Sequence, residues 1–372
     1  MTSYVPKGYW TSLAVATGVG VVNVEGSSIS PALIPTPDIV NSCASNSVTG
    51  QTVCTANGTD VYLISGTTLD STMTSAGIGT IRFSDGSCTN CGVAMDSVHN
   101  KAVIALSLDG SGGYQYLNLG TSMFEPAFRS QAPPFPEAGT NISENIMVDP
   151  LLNWILSPNE LSNYELVDVA TTTAPTFFEQ LIPGSLSLDS AGEDCSTGIA
   201  LASVEDDSDV ESQVYIADLS QAVFTPGTWT DPGAQVQTLS ESFLISGSSG
   251  IAVAQGTHTG VIAGEFVGFF TSDAITAIAL PTTSGSGMPA ITDWVTCNIG
   301  DGFKHGRDPH TVTAYKSPNN GHAIALLAEV DATRLAVVDL TNMLAIVPRT
   351  PGGHACPTSP LPASVVTFIT VP

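Results

Sequence analysis

The feature that most constrains the fold is a short β-type element that occurs seven times along the chain. Each copy is an apolar run interrupted near its end by a small polar residue. The copies are VVNVEG (21–26), VYLISG (61–66), YLNLGT (116–121), LVDVAT (166–171), YIADLS (215–220), AIALPT (277–282) and AVVDLT (336–341). Successive copies start about 40 to 60 residues apart, a period typical of folds that are built from equivalent supersecondary units.

A second repeated element precedes most of these copies and consists of a strand, a tight polar turn and another strand. Its copies are 92–109, 145–160, 186–205, 250–265 and 310–329. A less regular fourth run follows several copies, in GTIRFS (79–84), TFFEQL (176–181), AITDWV (290–295) and VVTFIT (365–370). Amphipathic helical periodicity is nearly absent. Four antiparallel strands per unit predict an all-β chain of propeller blades.

Seven copies predict a seven-bladed β-propeller that forms a single domain over residues 1–372. The first copy has no complete blade around it. We therefore expect the closing blade to be shared between residues 1–38 and the C-terminal segment, because closing the ring hides the sheet edges.

One blade carries a resemblance to a known family. The fragment RDPHTVTAYKSPNNGHAIALLAEVDATRLAVVDLTN (307–342) resembles a blade of the YVTN-type propellers, which belong to the lactonase-like seven-bladed superfamily. In that family Pro-His opens the inner strand, an SPxG-like turn follows, and a V-x-D-L/T strand comes third. The resemblance implies the propeller fold. It implies no single activity, since that superfamily includes lactonases, lyases, haem and copper enzymes, surface-layer proteins and scaffolds.

Charge excludes some classes of partner. The chain has 34 acidic and 9 basic residues, which gives a formal net charge of −25. Nucleic acids and anionic membrane surfaces are bound by clustered Lys and Arg, so neither is an expected partner. The sequence has no apolar run of 18 residues, and we expect no membrane span.

Cysteine usage favours an oxidising compartment. The disulfide candidates are Cys43 with Cys54, the CTNC unit of Cys88 and Cys91, and Cys297 with Cys356. Sequence alone does not fix this connectivity, and Cys195 is left over. A zinc half-site or a redox site are the alternatives for CTNC. Few lysines, many Ser and Thr and these disulfides predict an extracellular or periplasmic protein, although the N-terminal segment has no signal-peptide pattern.

Candidate site residues come from aligning the predicted blades. Where inner strands begin, the alignment places Glu144 and His310. Where second strands end, it places Glu160, Glu205, Glu265 and Glu329. We call Glu144, Glu160, Glu205, Glu265 and Glu329 the rim carboxylates. Converging carboxylates suit Ca²⁺, and a nearby His allows Zn²⁺ as the alternative. The alternative for each rim carboxylate is a solvated residue beside a turn.

These observations leave three functions open. The preferred one is a binding or scaffold protein for an unknown protein or small molecule, with a cation site at the rim. The second is a metal-dependent hydrolase or lyase for a lactone-like substrate, with His310 as general base and Glu144 beside it. The third is a self-assembling surface-layer component.

Overall fold

In the computed structural model most of the described residues lie in β-strands, and they include one short helix. The described residues are 7–11, 18–25, 32–82, 87–130, 145–159, 163–169, 175–181, 187–205, 213–231, 233–239, 246–266, 274–283, 289–299, 312–328, 334–346 and 361–370. The fold is a β-propeller with six blades, each a sheet of at least four strands. Two compact units divide the chain, and each contains three blades.

Unit 1 covers residues 1–188 and 224–229. It begins with a three-stranded sheet of β1 (Lys7–Thr11), β2 (Gly18–Asn23) and β3 (Ala32–Pro35). Blade 1 comprises β4 (Val40–Ser45), β5 (Gln51–Ala56), β6 (Asp60–Ser65) and β7 (Thr68–Thr74). A hairpin of β8 (Ile81–Arg82) and β9 (Ser87–Cys88) follows. Blade 2 comprises β10 (Asn90–Asp96), β11 (Lys101–Leu108), β12 (Ser111–Asn118), β13 (Met123–Phe124) and β14 (Phe128–Arg129). Blade 3 comprises β15 (Met147–Asp149), β16 (Trp154–Asn159), β17 (Asn163–Asp168) and β18 (Thr176–Leu181).

Unit 2 covers residues 189–223 and 230–372. Blade 4 comprises β19 (Ser187–Asp194), β20 (Ile199–Glu205), β21 (Gln213–Asp218) and, after two short strands, β24. Those two strands, β22 (Val223–Thr225) and β23 (Gly227–Thr230), extend the sheet of blade 3, and β24 spans Gln235–Thr238. Blade 5 comprises β25 (Ser246–Ala254), β26 (Thr259–Phe266), β27 (Ala274–Ala279) and β28 (Asp293–Asn298). Blade 6 comprises β29 (Val312–Lys316), β30 (Ala323–Leu327), β31 (Arg334–Asp339), helix α1 (Leu340–Ile346) and β32 (Val366–Thr370).

The predicted fold class is confirmed, and the predicted count of seven blades is corrected to six. Six copies of the repeated element lie in third strands, whereas VVNVEG lies mainly in β2, the middle of the three-stranded sheet. The C-terminal β32 pairs with β31 as the fourth strand of blade 6, and the closing blade shared between residues 1–38 and the C-terminal segment stays a prediction. GTIRFS is not a fourth strand, since β7 fills that place in blade 1. The prediction of a single domain over 1–372 stays a prediction.

Each turn between first and second strand has a residue with left-handed backbone at an equivalent position near its end. These residues are Gly50, Asn100, Asn153, Gly198, His258 and Gly321, with φ between 51° and 78°. Glycine tolerates this region because it has no Cβ to crowd the carbonyl oxygen, and asparagine does so because its short polar side chain can hydrogen-bond locally. At the start of several turns an Asx side chain accepts a backbone N–H, as Asp149 Oδ1 does from Leu151 at 2.7 Å. This is the polar turn that the sequence predicts.

The repeated element has an apolar residue near its end, and this residue connects the third strand to the turn. The N–H groups of Leu119, Val169, Leu219 and Leu280 each donate to the carbonyl of their blade's left-handed residue at 2.8–3.0 Å. Leu119, Leu219 and Leu280 are also buried. The repeat is therefore visible in the sequence because one position must be apolar and hydrogen-bonded in several blades.

Neighbouring sheets bury apolar side chains between them. In unit 1 the first three-stranded sheet packs on blade 1 through Val19, Val21 and Ile34. The layer between blades 2 and 3 contains Val103, Ile155 and the rings of two tyrosines described below. Unit 2 has equivalent layers between blades 4 and 5 and between blades 5 and 6. The strands are buried on both faces, which explains why they read as continuous apolar runs.

Candidate functional site

The described residues include only part of the predicted site. His310, Glu144, Glu160 and Glu329 lie outside them. Glu205 is the last residue of β20, and Glu265 is the penultimate residue of β26. Their location at the ends of second strands agrees with the prediction, whereas their role as ligands stays a prediction.

Glu205 and Glu265 occupy the same register in adjoining blades of unit 2. The turns that start β20 and β26 are hydrogen-bonded to each other, since the backbone N–H of Cys195 donates to Gln255 Oε1 at 3.2 Å. Each glutamate comes six residues after the first residue of its strand, Ile199 or Thr259. Both strands therefore carry their glutamate about 20 Å from the turns, at the opposite edge.

A second acidic position, which the sequence did not reveal, lies between blades 2 and 3. Glu165 is in the centre of β17 and is fully buried. Its carboxylate accepts hydrogen bonds from the Tyr114 hydroxyl at 2.6 Å and from Ser130 Oγ at 2.9 and 3.0 Å. The two hydroxyls therefore provide a hydrogen bond to each carboxylate oxygen. The available signal was a charged residue inside an apolar third strand.

Asn159, the last residue of β16, lies on the same face. Ser157 pairs with Glu165 across the strands, and Asn159 is two residues further along β16. The Asn159 side chain is 1% exposed, and neither Oδ1 nor Nδ2 has a hydrogen-bond partner. Each unsatisfied buried polar atom costs about 1–3 kcal/mol, so this amide is expensive to bury without a ligand.

Two tyrosines of β12 in the same layer have opposite hydrogen-bonding states. Tyr114 and Tyr116 are both buried. The Tyr114 hydroxyl binds Glu165, whereas the Tyr116 hydroxyl has no hydrogen-bond partner. Burial, with smaller contributions from the charges of Asp96 and Glu125, raises the pKa of Tyr116 well above its usual 10.0.

Three histidines at first-to-second-strand turns are each held by a carboxylate. Nδ1 of His99 lies 2.8 Å from Asp96, that of His258 lies 2.6 Å from Asp194, and that of His322 lies 2.8 Å from Asp339. The histidines are partly exposed, but their aspartates make them structural members of the turns, and the pair of His258 and Asp194 joins blade 5 to blade 4.

The neighbouring acids Glu193 and Asp194 are the last two residues of β19, beside the first-to-second-strand turn of blade 4. Both are fully buried. The Asp194 carboxylate binds His258 and both the backbone N–H and the hydroxyl of Ser196, which satisfies it inside the blade interface.

The predicted disulfides are confirmed for two pairs. Cys43 and Cys54 are opposite each other on β4 and β5, with Cα atoms 4.1 Å apart, and Cys88 is bonded to Cys91. CTNC is therefore a disulfide and not a zinc half-site. Cys297 is also disulfide-bonded, and its predicted partner Cys356 lies outside the described residues. Cys195 keeps its thiol, as predicted.

Comparison with known proteins supports the fold alone. No protein-family profile matches the chain, and no curated protein is significantly similar in sequence. Among solved structures, one titled Kuenenia stuttgartiensis hydrazine synthase superposes with a TM-score of 0.58 at 6% identity, over 84% of this chain and 80% of that one. The chain has a β-propeller fold. The finer resemblance to YVTN-type propellers stays a prediction. In the described part of the chain, no helix has the length and apolarity needed to cross a membrane.

Proposed function

We propose that this chain is an exported β-propeller binding protein that holds a divalent cation, Ca²⁺ in the first instance, at the acidic edge of unit 2. The observation that carries the proposal is the shared register of Glu205 and Glu265 at the ends of β20 and β26. Packed sheets lie about 10 Å apart, so the two strand ends are close enough for one ion to lie between them. Carboxylate oxygens are the ligands that Ca²⁺ prefers.

Export is supported by the cysteines. Structural disulfides persist outside the cytosol and are rare within it. Two described pairs, together with the bonded Cys297, suit a secreted or periplasmic protein. A net charge of −25 favours cations over anions near the surface.

The remaining rim carboxylates, Glu144, Glu160 and Glu329, stay predicted members of a cation-binding rim, with Zn²⁺ as the alternative ion. Hydrolase or lyase activity would need His310 and Glu144, which lie outside the described residues. Self-assembly as a surface layer is likewise a prediction that no described contact favours. Binding is therefore the function that we carry forward.

The test is calorimetric titration of metal-free protein with Ca²⁺. We expect a dissociation constant of about 10⁻⁴–10⁻³ M, the range of extracellular calcium modules. Glu205→Gln combined with Glu265→Gln should weaken binding at least about tenfold. Asp70→Asn is the matched control, because it removes a carboxylate from an exposed position on β7 and should leave the affinity unchanged. Equal binding by the double variant and the wild type would refute the proposal.

A further inference from the structure

The buried face between blades 2 and 3 contains one polar side chain at a position that is otherwise apolar. Asn159 comes five residues after the first residue of its second strand, Trp154, which pairs with Asp149. In the other blades, the residue five positions after the one that closes the first-to-second-strand turn is also buried. These residues are Ala56, Leu106, Val204, Gly264 and Leu327. The interior position therefore requires no hydrogen-bonding group, and an amide here is specific to blade 3.

Neither the oxygen nor the nitrogen of the Asn159 side-chain amide has a hydrogen-bond partner in the protein. Its Oδ1 and Nδ2 are fully buried and make no hydrogen bond. Buried polar groups in native proteins are almost always paired with protein, water or an ion. A side chain in this state, where the blade could have used an apolar residue, points to a bound group that completes the site.

The surroundings narrow the chemical class of that group. Glu165 lies on the same face, diagonal to Asn159 across the strand pair, where Cβ atoms are about 7 Å apart. The site is closed to bulk solvent, since Ser157, Asn159 and Glu165 are 0–1% exposed. Closure limits the occupant to an ion or a water molecule, and the carboxylate disfavours an anion. An amide oxygen and a carboxylate are both ligands of hard cations.

We propose that Asn159 and Glu165 form a buried cation site between blades 2 and 3, which takes Ca²⁺ or an ion of similar size and charge. Asn159 Oδ1 and the Glu165 carboxylate supply protein ligands, and bound water completes the coordination. The hydroxyls of Tyr114 and Ser130 orient the carboxylate from blade 2. The ion would then join the third blade to the second. This buried site and the proposed site at Glu205 and Glu265 would bind the same kind of cation, but they have no residue in common.

The experiment compares three proteins by equilibrium dialysis against Ca²⁺ and by melting with and without EDTA. The first is the wild type, the second is Asn159→Leu, which keeps the branched side-chain skeleton but has no polar atoms, and the third is Glu205→Gln with Glu265→Gln. Asn159→Leu should weaken one Ca²⁺ site at least about tenfold, and most of the Ca²⁺-dependent rise in Tm should disappear. The double variant Glu205→Gln with Glu265→Gln should keep the site at Asn159 and Glu165. The experiment therefore distinguishes failure of the proposed function from failure of this proposal.

Two results would overturn the proposal. One is a Ca²⁺ affinity that is the same in Asn159→Leu and wild type, together with a Tm difference between the two proteins that is the same with and without EDTA. That pattern indicates a buried water molecule in place of an ion. The other comes from Asn159→Asp, which keeps the oxygen and adds a charge. It should bind Ca²⁺ more tightly than the wild type, and an unchanged affinity contradicts a cation at this position even if Asn159→Leu does not fold.

Discussion

Tyr114 and Tyr116 offer a test in which the same chemical change has opposite effects on stability. Both are buried tyrosines of β12, two residues apart and in the same apolar layer. Tyr114→Phe removes a hydrogen bond to the buried Glu165 carboxylate. Hydrogen bonds to charged groups contribute about 1.5–3 kcal/mol, so the free energy of unfolding should fall by that amount. Tyr116→Phe removes a buried hydroxyl without a partner. Its free energy of unfolding should stay the same or rise by about 1 kcal/mol.

The assay is urea unfolding followed by circular dichroism at constant pH. With an m-value of about 3 kcal/mol/M, the midpoint of Tyr114→Phe should fall by about 0.5–1 M relative to the wild type. The midpoint of Tyr116→Phe should not fall. Because both variants lose one oxygen at equal burial, any general cost of the Tyr-to-Phe change is common to both. Equal destabilisation of the two variants would refute the assignment of their hydrogen-bonding states.

Three further predictions follow from single contacts. Replacing Cys43 and Cys54 together by Ala should lower the unfolding free energy by about 3 kcal/mol in non-reducing buffer, because their disulfide closes a loop with a sequence separation of 11 residues. Gly113→Ala should destabilise by about 1–3 kcal/mol, because a Cβ there would lie 2.8 Å from the backbone oxygen of Phe128, and a thermal melt measures this. Alkaline titration should reveal the raised pKa of Tyr116. Ionisation of Tyr116 should leave the free energy of unfolding unchanged below pH 10 and lower it above pH 10 by at most about 1.4 kcal/mol per pH unit. Tyr116→Phe should flatten that decline.

Periodicity made the blade architecture predictable, because each blade repeats the same physical requirement. The third strand needs an apolar residue bonded to a turn residue of left-handed backbone, and this requirement leaves a pattern such as YIADLS in the sequence. The blade count was harder to predict. VVNVEG satisfies the same pattern in β2, but its sheet has three strands and packs on blade 1 as a blade would. A single-strand pattern does not distinguish a sheet of three strands from one of four.

The candidate site residues were predictable only in part. Aligning the blades of this chain locates the ends of strands, but it does not show which buried residues of different blades are in contact. The location of Glu205 and Glu265 near the ends of second strands was predictable because their register follows from the turn positions. Glu165 and Asn159 were missed because their significance depends on contacts between blades. Tyr114 and Ser130 are 51 and 35 residues away from Glu165 in sequence, and no local pattern joins residues at such separations.

The turns with left-handed backbone have a consequence for tracing the ancestry of this chain. The residues that enclose the turn are five apart in blades 1, 2, 3, 5 and 6, for example Asp96 and Lys101 or Ala254 and Thr259. The interval between successive left-handed residues nevertheless varies from 45 residues (Asn153 to Gly198) to 63 residues (His258 to Gly321). The other connections therefore differ in length from blade to blade, whereas this turn has one length in these five blades. A search for related chains should accordingly weight the fixed length of this turn above the distance between successive turns.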